Sequence, residues 1–252
     1  MRARTNTPRI HALPLLLLLV GCAHRPPQEN LPTYPWTDAP TALRAMAKRA
    51  TQVKTINSPC ALTLTRPNGE SIRLDGALAI SLPDKSVRIR AWKFNTAVFD
   101  LTLIPSGLFL ELPRDPDRRP QVLPASLSAA QLARALSLLG PNFFEDPKPQ
   151  TRDPGGPRFE LSKPIEQGQT MIASVDRATL TVRQYRLLGP STALRFTLDL
   201  AQYRDFHGLP WPTRMVATNN GSRIDLELTD PQLNVPLPPR AFVPPRGAEK
   251  VP

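Results

Sequence analysis

Two thiols, Cys22 and Cys60, three imidazoles and 21 carboxylates are the groups in this 252-residue chain able to do nucleophilic, acid–base or metal chemistry. His11, His24 and His207 stand far apart and beside no cysteine-rich spacing, so no zinc-type ligand set forms. His207 follows Asp205 in DFHGLP, a pair able to act as a general base, yet a loop histidine beside an acid serves equally well to shape a turn. Neither a nucleophile elbow nor a glycine-rich phosphate loop accompanies it. Asp225 and Glu227 in RIDLEL share one strand face, because side chains alternate with period two, and Ile224, Leu226 and Leu228 occupy the other. That is the layout of a solvated outer face. The expectation is a protein that is not an enzyme and uses no metal or cofactor.

Cys22 differs from these groups in its setting. The apolar run Leu13–Val20 in LPLLLLLVGCAH is eight residues long, about 12 Å as a helix against the roughly 30 Å of a bilayer core. It is too short to span. Arg2, Arg4 and Arg9 precede it without any acid and the small Gly21 follows it, the order of a cleaved export signal.

Leu19-Val20-Gly21-Cys22 resembles the bacterial lipobox, in which cleavage falls just before a cysteine whose sulfur carries diacylglycerol. The resemblance implies that Cys22 is the lipidated first residue of the mature protein. Each buried methylene then contributes about 0.8 kcal/mol, so two or three chains hold the protein on a membrane. With Cys22 acylated, Cys60 has no partner in the chain and reads as a small buried hydrophobe. Loss of residues 1–21, which carry three arginines and no acid, takes the formal charge from +11 to +8. The positive charge is scattered and no nucleic-acid-binding spacing appears. A solvated basic face or attraction to an anionic membrane surface accounts for it, and nucleic acid is not an expected partner.

Prolines divide the rest. Residues 1–21 read as signal peptide, 22–40 as a lipidated Pro-rich tether, 41–245 as a single domain and 246–252 as a disordered tail. The tether stretch Ala23–Pro40 holds five prolines and would reach roughly 55 Å at polyproline rise. Further Pro-rich stretches at 112–124 and 145–157 read as loops.

Within the domain, TALRAMAKRATQV sets Leu43, Met46, Ala47, Ala50 and Val53 at helical spacing behind a capping Asp38, and SAAQLARALSLLG opens on a Ser128-x-x-Gln131 capping box and stops at Gly140-Pro141. Everything else alternates with period two, and Asn219-Asn220-Gly221 marks a tight hairpin. About nine to eleven strands with two helices predict a mostly β (α+β) fold: one large curved antiparallel sheet, an incomplete half-barrel whose concave apolar face the helices cover.

This order of elements, closing in LPWPTRM…NNGSRIDLEL…LNVPLPPRAFVPP with its Asn234…Phe242 pattern, resembles the LolA/LolB-like lipoprotein-localisation family from about Thr41 to Pro245. The resemblance implies an acyl-binding half-barrel, lipoprotein or acyl-chain cargo, a periplasmic carrier protein as partner, and membrane attachment through Cys22 as a monomer. The lipobox matches the family's outer-membrane receptor rather than its soluble carrier, and Ala23 in place of Asp after the cysteine favours the outer membrane, facing the periplasm. The insertions at 112–124 and 145–157 depart from the usual receptor length.

A lipid binder needs an apolar cavity with few groups that require hydrogen bonds. The inward candidates are Leu62, Leu64, Ile72, Leu74, Leu78, Ile80, Val87, Ile89, Phe99, Leu101, Leu103, Leu194, Phe196, Leu198, Ile224 and Leu226, which line either a cavity or a filled core, since periodicity cannot separate the two. In AWKFNTAVF a turn at Asn95-Thr96 would leave Trp92 and Phe94 near a hairpin tip, placed either to touch membrane or cargo or to pack beneath a neighbouring loop. The alternative function is a structural envelope lipoprotein of the same fold, its interior filled, that binds a protein or glycan partner.

Overall fold

A computed structural model describes residues 29–112, 132–137, 139–145, 147–165 and 168–251. Cys22 and the expected signal peptide lie outside the described residues, as do Ser128 to Gln131 of the expected capping box.

The chain opens with helix α1 (Ala39–Ala50), capped as its sequence predicts: the Asp38 carboxylate accepts from the Thr41 amide at 2.6 Å. A first meander follows, β1 (Thr55–Thr65), β2 (Ser71–Ser81), β3 (Ser86–Lys93), β4 (Thr96–Ile104) and β5 (Gly107–Glu111). Residues 132–137 are helical, and Gly140, at φ +66°, turns the chain into a 3-10 segment, Gly140–Phe143. The second meander comprises β6 (Gln150–Arg152), β7 (Arg158–Pro164), β8 (Thr170–Asp176), β9 (Val182–Leu188), β10 (Leu194–Phe206), β11 (Leu209–Asn219) and β12 (Ser222–Leu228). Two short strands close the chain, β13 (Gln232–Leu233) and β14 (Glu249–Val251).

All strands pair antiparallel in one 14-stranded sheet of order β14-β5-β4-β3-β2-β1-β12-β11-β10-β9-β8-β7-β6, with β13 beside β1. The β1–β12 pair joins the two meanders, and β14 and β6 end the sheet without meeting, so it stays open as a curved half-barrel. Register brings one apolar row across five strands: Leu74, Leu62, Leu226, Met215 and Leu200 are successive cross-strand partners. Ala42 and Met46 of α1 and Leu132 and Leu136 of the second helical segment bury against this face in one continuous core. The helices thus cover the apolar side, as a single sheet with one apolar face demands. Lys163 on β7 secures the 3-10 segment: its buried ammonium donates to the carbonyls of Asn142, Phe143 and Glu145 at 3.0, 3.2 and 2.9 Å.

Three local expectations are corrected. The tether reading of 22–40 fails from Glu29 onward, because Tyr34 and Trp36 supply apolar surface between the prolines; residues 22–28 lie outside the described residues. The Glu29 carboxylate pairs with Arg183 at 2.5 Å and accepts from the Tyr203 amide at 2.9 Å. Tyr34 donates its amide to Ala178, while Trp36 packs on Phe159 and lies under the Arg177 guanidinium at 3.9 Å. The tail is likewise ordered by pairing: Asn234 is fixed by bonds to Lys54, Thr55 and Gln52, Arg88 donates to the Ala241 carbonyl, and Glu249–Val251 pairs with β5. This strap runs over the outer face from β1 to β5 and covers the Arg88–Asp100 ion pair. Finally, the β3–β4 turn falls at Phe94-Asn95, with φ of +49° and +63°, because Lys93 pairs directly with Thr96 and leaves a two-residue loop.

Cys60 is buried, and burial pushes its thiol up to about 12. A thiolate is the reactive form, so the native protein is expected to resist alkylation at neutral pH and to label at Cys60 only on unfolding. Rapid native labelling, read by intact mass, would contradict this packing.

Candidate functional site

Thirteen of the sixteen inward candidates are buried on the helix-covered face; Leu78, Ile80, Val87, Ile89, Leu101, Leu198 and Leu226 have no measurable exposure. Leu62, Leu64, Leu74, Phe99, Phe196 and Ile224 are 1–5 % exposed. Ile72 and Leu103 sit near strand ends and are half-buried. Leu194 stands 57 % exposed, because the register slips between Leu194 and Phe196 and takes it out of the alternation.

Two cavities occupy another part of the same side, between the C-terminal half of α1 and the β9–β11 hairpin region. The inner one, about 90 Å³, lies among Met46, Val53, Phe144, Leu200, Tyr203 and Trp211, with Arg49, Leu180 and Tyr185 also in its wall. The outer one, about 240 Å³, is bounded by Tyr34, Ala45, Lys48, Arg49, Gln52, Leu180 and Gly208. Arg49 and Leu180 line both, so the two adjoin. None of the sixteen inward candidates lines either cavity. Sequence reasoning missed Trp211, although it shares a strand face with Met215 and Ala217; the flanking Pro210 and Pro212 obscured the alternation.

The polar groups in this wall are mostly donors. The Tyr203 hydroxyl donates to the Val182 carbonyl at 2.5 Å. Arg49 donates to the carbonyls of Leu180 and Thr179 and stacks on the Tyr34 ring at 5.3 Å. Trp211 Nε1 is buried without a hydrogen-bond partner. Burial drives the Tyr185 hydroxyl well above the usual tyrosine range, and it stays neutral. No acidic residue lines either cavity.

At the β3–β4 tip, Phe94 is 87 % exposed, while Trp92 is half-buried on the strand below, paired with Asp75 and Ala97. Phe94 is therefore the exposed aromatic at the tip, with the Lys93 ammonium 5.5 Å from its ring centre. This turn lies at the strand ends shared with the 66–70 and Asn220-Gly221 turns; the 177–181 and His207-Gly208 turns, beside which residues 29–36 dock, lie at the opposite ends.

His207 occupies that exposed turn at φ +56°, and the Asp205 carboxylate accepts from the Gly208 amide at 3.1 Å, shaping the hairpin. Asp225 and Glu227 belong to ion pairs on the outer face: Arg214 and Arg223 bond Asp225, and Arg73 reaches Glu227. Burial raises the Asp225 carboxyl, but the two arginines outweigh it and hold it below the usual carboxylate range. This cluster stabilises the fold above the ordinary aspartate range and loses that contribution as pH falls through the lowered native value. Among the described residues no cluster of three or more His, Cys, Asp or Glu is placed to hold a metal, and no helix is long and apolar enough to cross a membrane.

No protein-family model matches the chain, and no curated protein matches it in sequence. Solved structures do. A LolA superfamily protein from Nitrosomonas europaea is similar at 15 % identity and TM-score 0.58, over 82 % of this chain and 98 % of that one. A domain named for outer membrane lipoprotein sorting, from Vibrio parahaemolyticus, aligns at 16 % identity and TM-score 0.55, over 82 % and 97 %. A DUF1329 family protein from Desulfovibrio piger aligns at 13 % identity and TM-score 0.55, over 82 % and 98 %. Across nearly the whole of each of those chains, then, this protein shares the open, helix-covered half-barrel fold of the LolA superfamily structure.

Proposed function

We propose that the protein is a non-enzymatic envelope lipoprotein, anchored through an acylated Cys22 in the outer membrane and facing the periplasm, that binds acyl chains or lipoproteins on their way to that membrane. The observation that carries this reading is the open 14-stranded sheet whose apolar face is covered, among the described residues, by α1 and the second helical segment rather than by further strands. Separating helix from sheet exposes a continuous apolar face without breaking any strand pairing, which is what entry of a chain requires. The fold shared with a lipoprotein-sorting domain supports the same reading.

Phe94 is then the contact for incoming cargo or its periplasmic carrier. Seven residue steps separate Cys22 from the docked Glu29, at most about 25 Å of chain, and residues 29–36 dock toward the strand ends opposite the Phe94 turn. The anchored membrane lies toward one end of the sheet and the aromatic tip toward the other. Phe94→Asn keeps a residue that tolerates positive φ, so its unfolding midpoint should match or exceed that of the wild type. Transfer of an acylated lipoprotein from a periplasmic carrier should fall several-fold. Unchanged transfer would remove Phe94 from the mechanism.

The second reading, a structural envelope lipoprotein that binds a protein or glycan partner, is favoured by one observation. Seven of the inward candidates have no exposure, so the face they share is filled in this conformation.

A further inference from the structure

We infer that the two adjoining cavities at Arg49 form a binding site for a free fatty acid, held carboxylate-inward by Arg49, Trp211 and Tyr185. The inference deepens the acyl-handling reading above and rests on it. Its starting point is a mismatch in the inner cavity. Trp211 is 5 % exposed and its indole N–H, which can only donate, has no partner, and the Tyr185 hydroxyl makes no hydrogen bond among the described residues. An unpaired buried donor costs on the order of 1–3 kcal/mol, and the Trp211 N–H is such a donor, in the wall of a small, mostly apolar chamber that the unbonded Tyr185 hydroxyl also lines. Arg49 adds a positive charge that faces both chambers, and neither it nor Lys48 meets a carboxylate among the described residues.

A ligand that pairs the two unbonded donors and neutralises the arginine, already bonded to the Leu180 and Thr179 carbonyls, must bring acceptors and negative charge inward while presenting apolar surface elsewhere. A carboxylate does this: one oxygen accepts from Trp211 and Tyr185, the other from Arg49, as charge-assisted bonds. The space fits the same ligand. At about 30 Å³ per water-sized group, the inner cavity of about 90 Å³ takes a carboxyl group and the first methylene, and the outer one of about 240 Å³ takes some eight more carbons against Ala45, Leu180 and the Lys48 stem. An acid of about ten carbons fits along the two cavities without opening the core. The outer cavity opens beside Tyr34 and Gly208, at the strand ends where residues 29–36 dock, so the mouth lies within the reach of the short chain to Cys22.

The test is calorimetric titration of the mature chain carrying Cys22→Ser with decanoate and with 1-decanol, which has the same chain length and no charge. Expected is one decanoate per chain, with decanol bound at least tenfold more weakly. Arg49→Met should bring decanoate down to the level of decanol, and Trp211→Phe combined with Tyr185→Phe, which keeps the apolar shape, should weaken decanoate several-fold. Unfolding midpoints identify any variant that fails to fold, and the aromatic pair decides the matter if Arg49→Met is unstable. Equal affinity for the two probes, or variants that bind decanoate as the wild type does, would overturn the inference. Absence of decanoate binding would also overturn it, leaving water as the partner of Trp211. If the protein still takes up an acylated lipoprotein in that case, the inference fails and the acyl-handling reading stands; if it takes up neither, both fail.

Discussion

Leu101→Asn should cost on the order of 2–4 kcal/mol of folding stability, from lost methyl packing and an amide buried without partners. Leu101 has no exposure, faces the helix-covered side at the centre of β4 and pairs with Ile89 and Leu110. Against a typical total of about 5–15 kcal/mol that is a large shift in the chemical-denaturation midpoint. The same substitution at an open, wetted site would cost far less, because water solvates the amide. The measurement therefore discriminates between a filled and a standing-open interior. A loss below about 1 kcal/mol, outside the span of core substitutions of this kind, combined with weakened binding of a fluorescent acyl probe would show that the interior is open at rest. On the proposed acyl-handling role, the steep loss expected from the packing requires the helices to lift before a chain can enter.

Cys22→Ser should abolish acylation outright. The apolar run ahead of it is too short to remain as a spanning anchor, so the variant should accumulate as uncleaved precursor or leave the membrane as unlipidated protein, and the wild type should begin at Cys22 with added acyl mass. Intact-mass analysis of the membrane and soluble fractions reads both. A wild-type N-terminus elsewhere, without lipid mass, would remove the anchor and with it the orientation in which the cavity mouth lies nearest the bilayer.

Much of the fold was legible because most strands bury one face and leave the other to solvent, β4 and β11 being the exceptions. In β2, Leu74, Leu78 and Ile80 alternate with Arg73, Asp75, Ala77 and Ala79, and the first set is buried on the helix-covered face. Asp38 as helix cap and Asn220-Gly221 as a tight turn were readable from local chemistry, and both hold. What escaped depends on contacts distant in sequence. Glu29 meets Arg183, and β14 meets β5, only because the sheet brings them together, while their own segments carry the prolines of irregular chain. Leu194 left the inward set through a single slip of register, which alternation cannot anticipate. The cavity was hidden for a different reason: its wall draws on α1, the 3-10 segment and three strands, and the informative feature, an indole N–H without a partner, exists only once they are packed.

Acyl handling itself is tested most directly by native mass spectrometry of the mature chain carrying Cys22→Ser, purified from the periplasm of its host without detergent. Acyl-bearing species bound to the folded protein, exchangeable for an added acylated lipoprotein, are the expected result. A protein that is bare as isolated, and that takes up neither fatty acid nor lipoprotein when they are supplied, would contradict it and leave a filled structural domain.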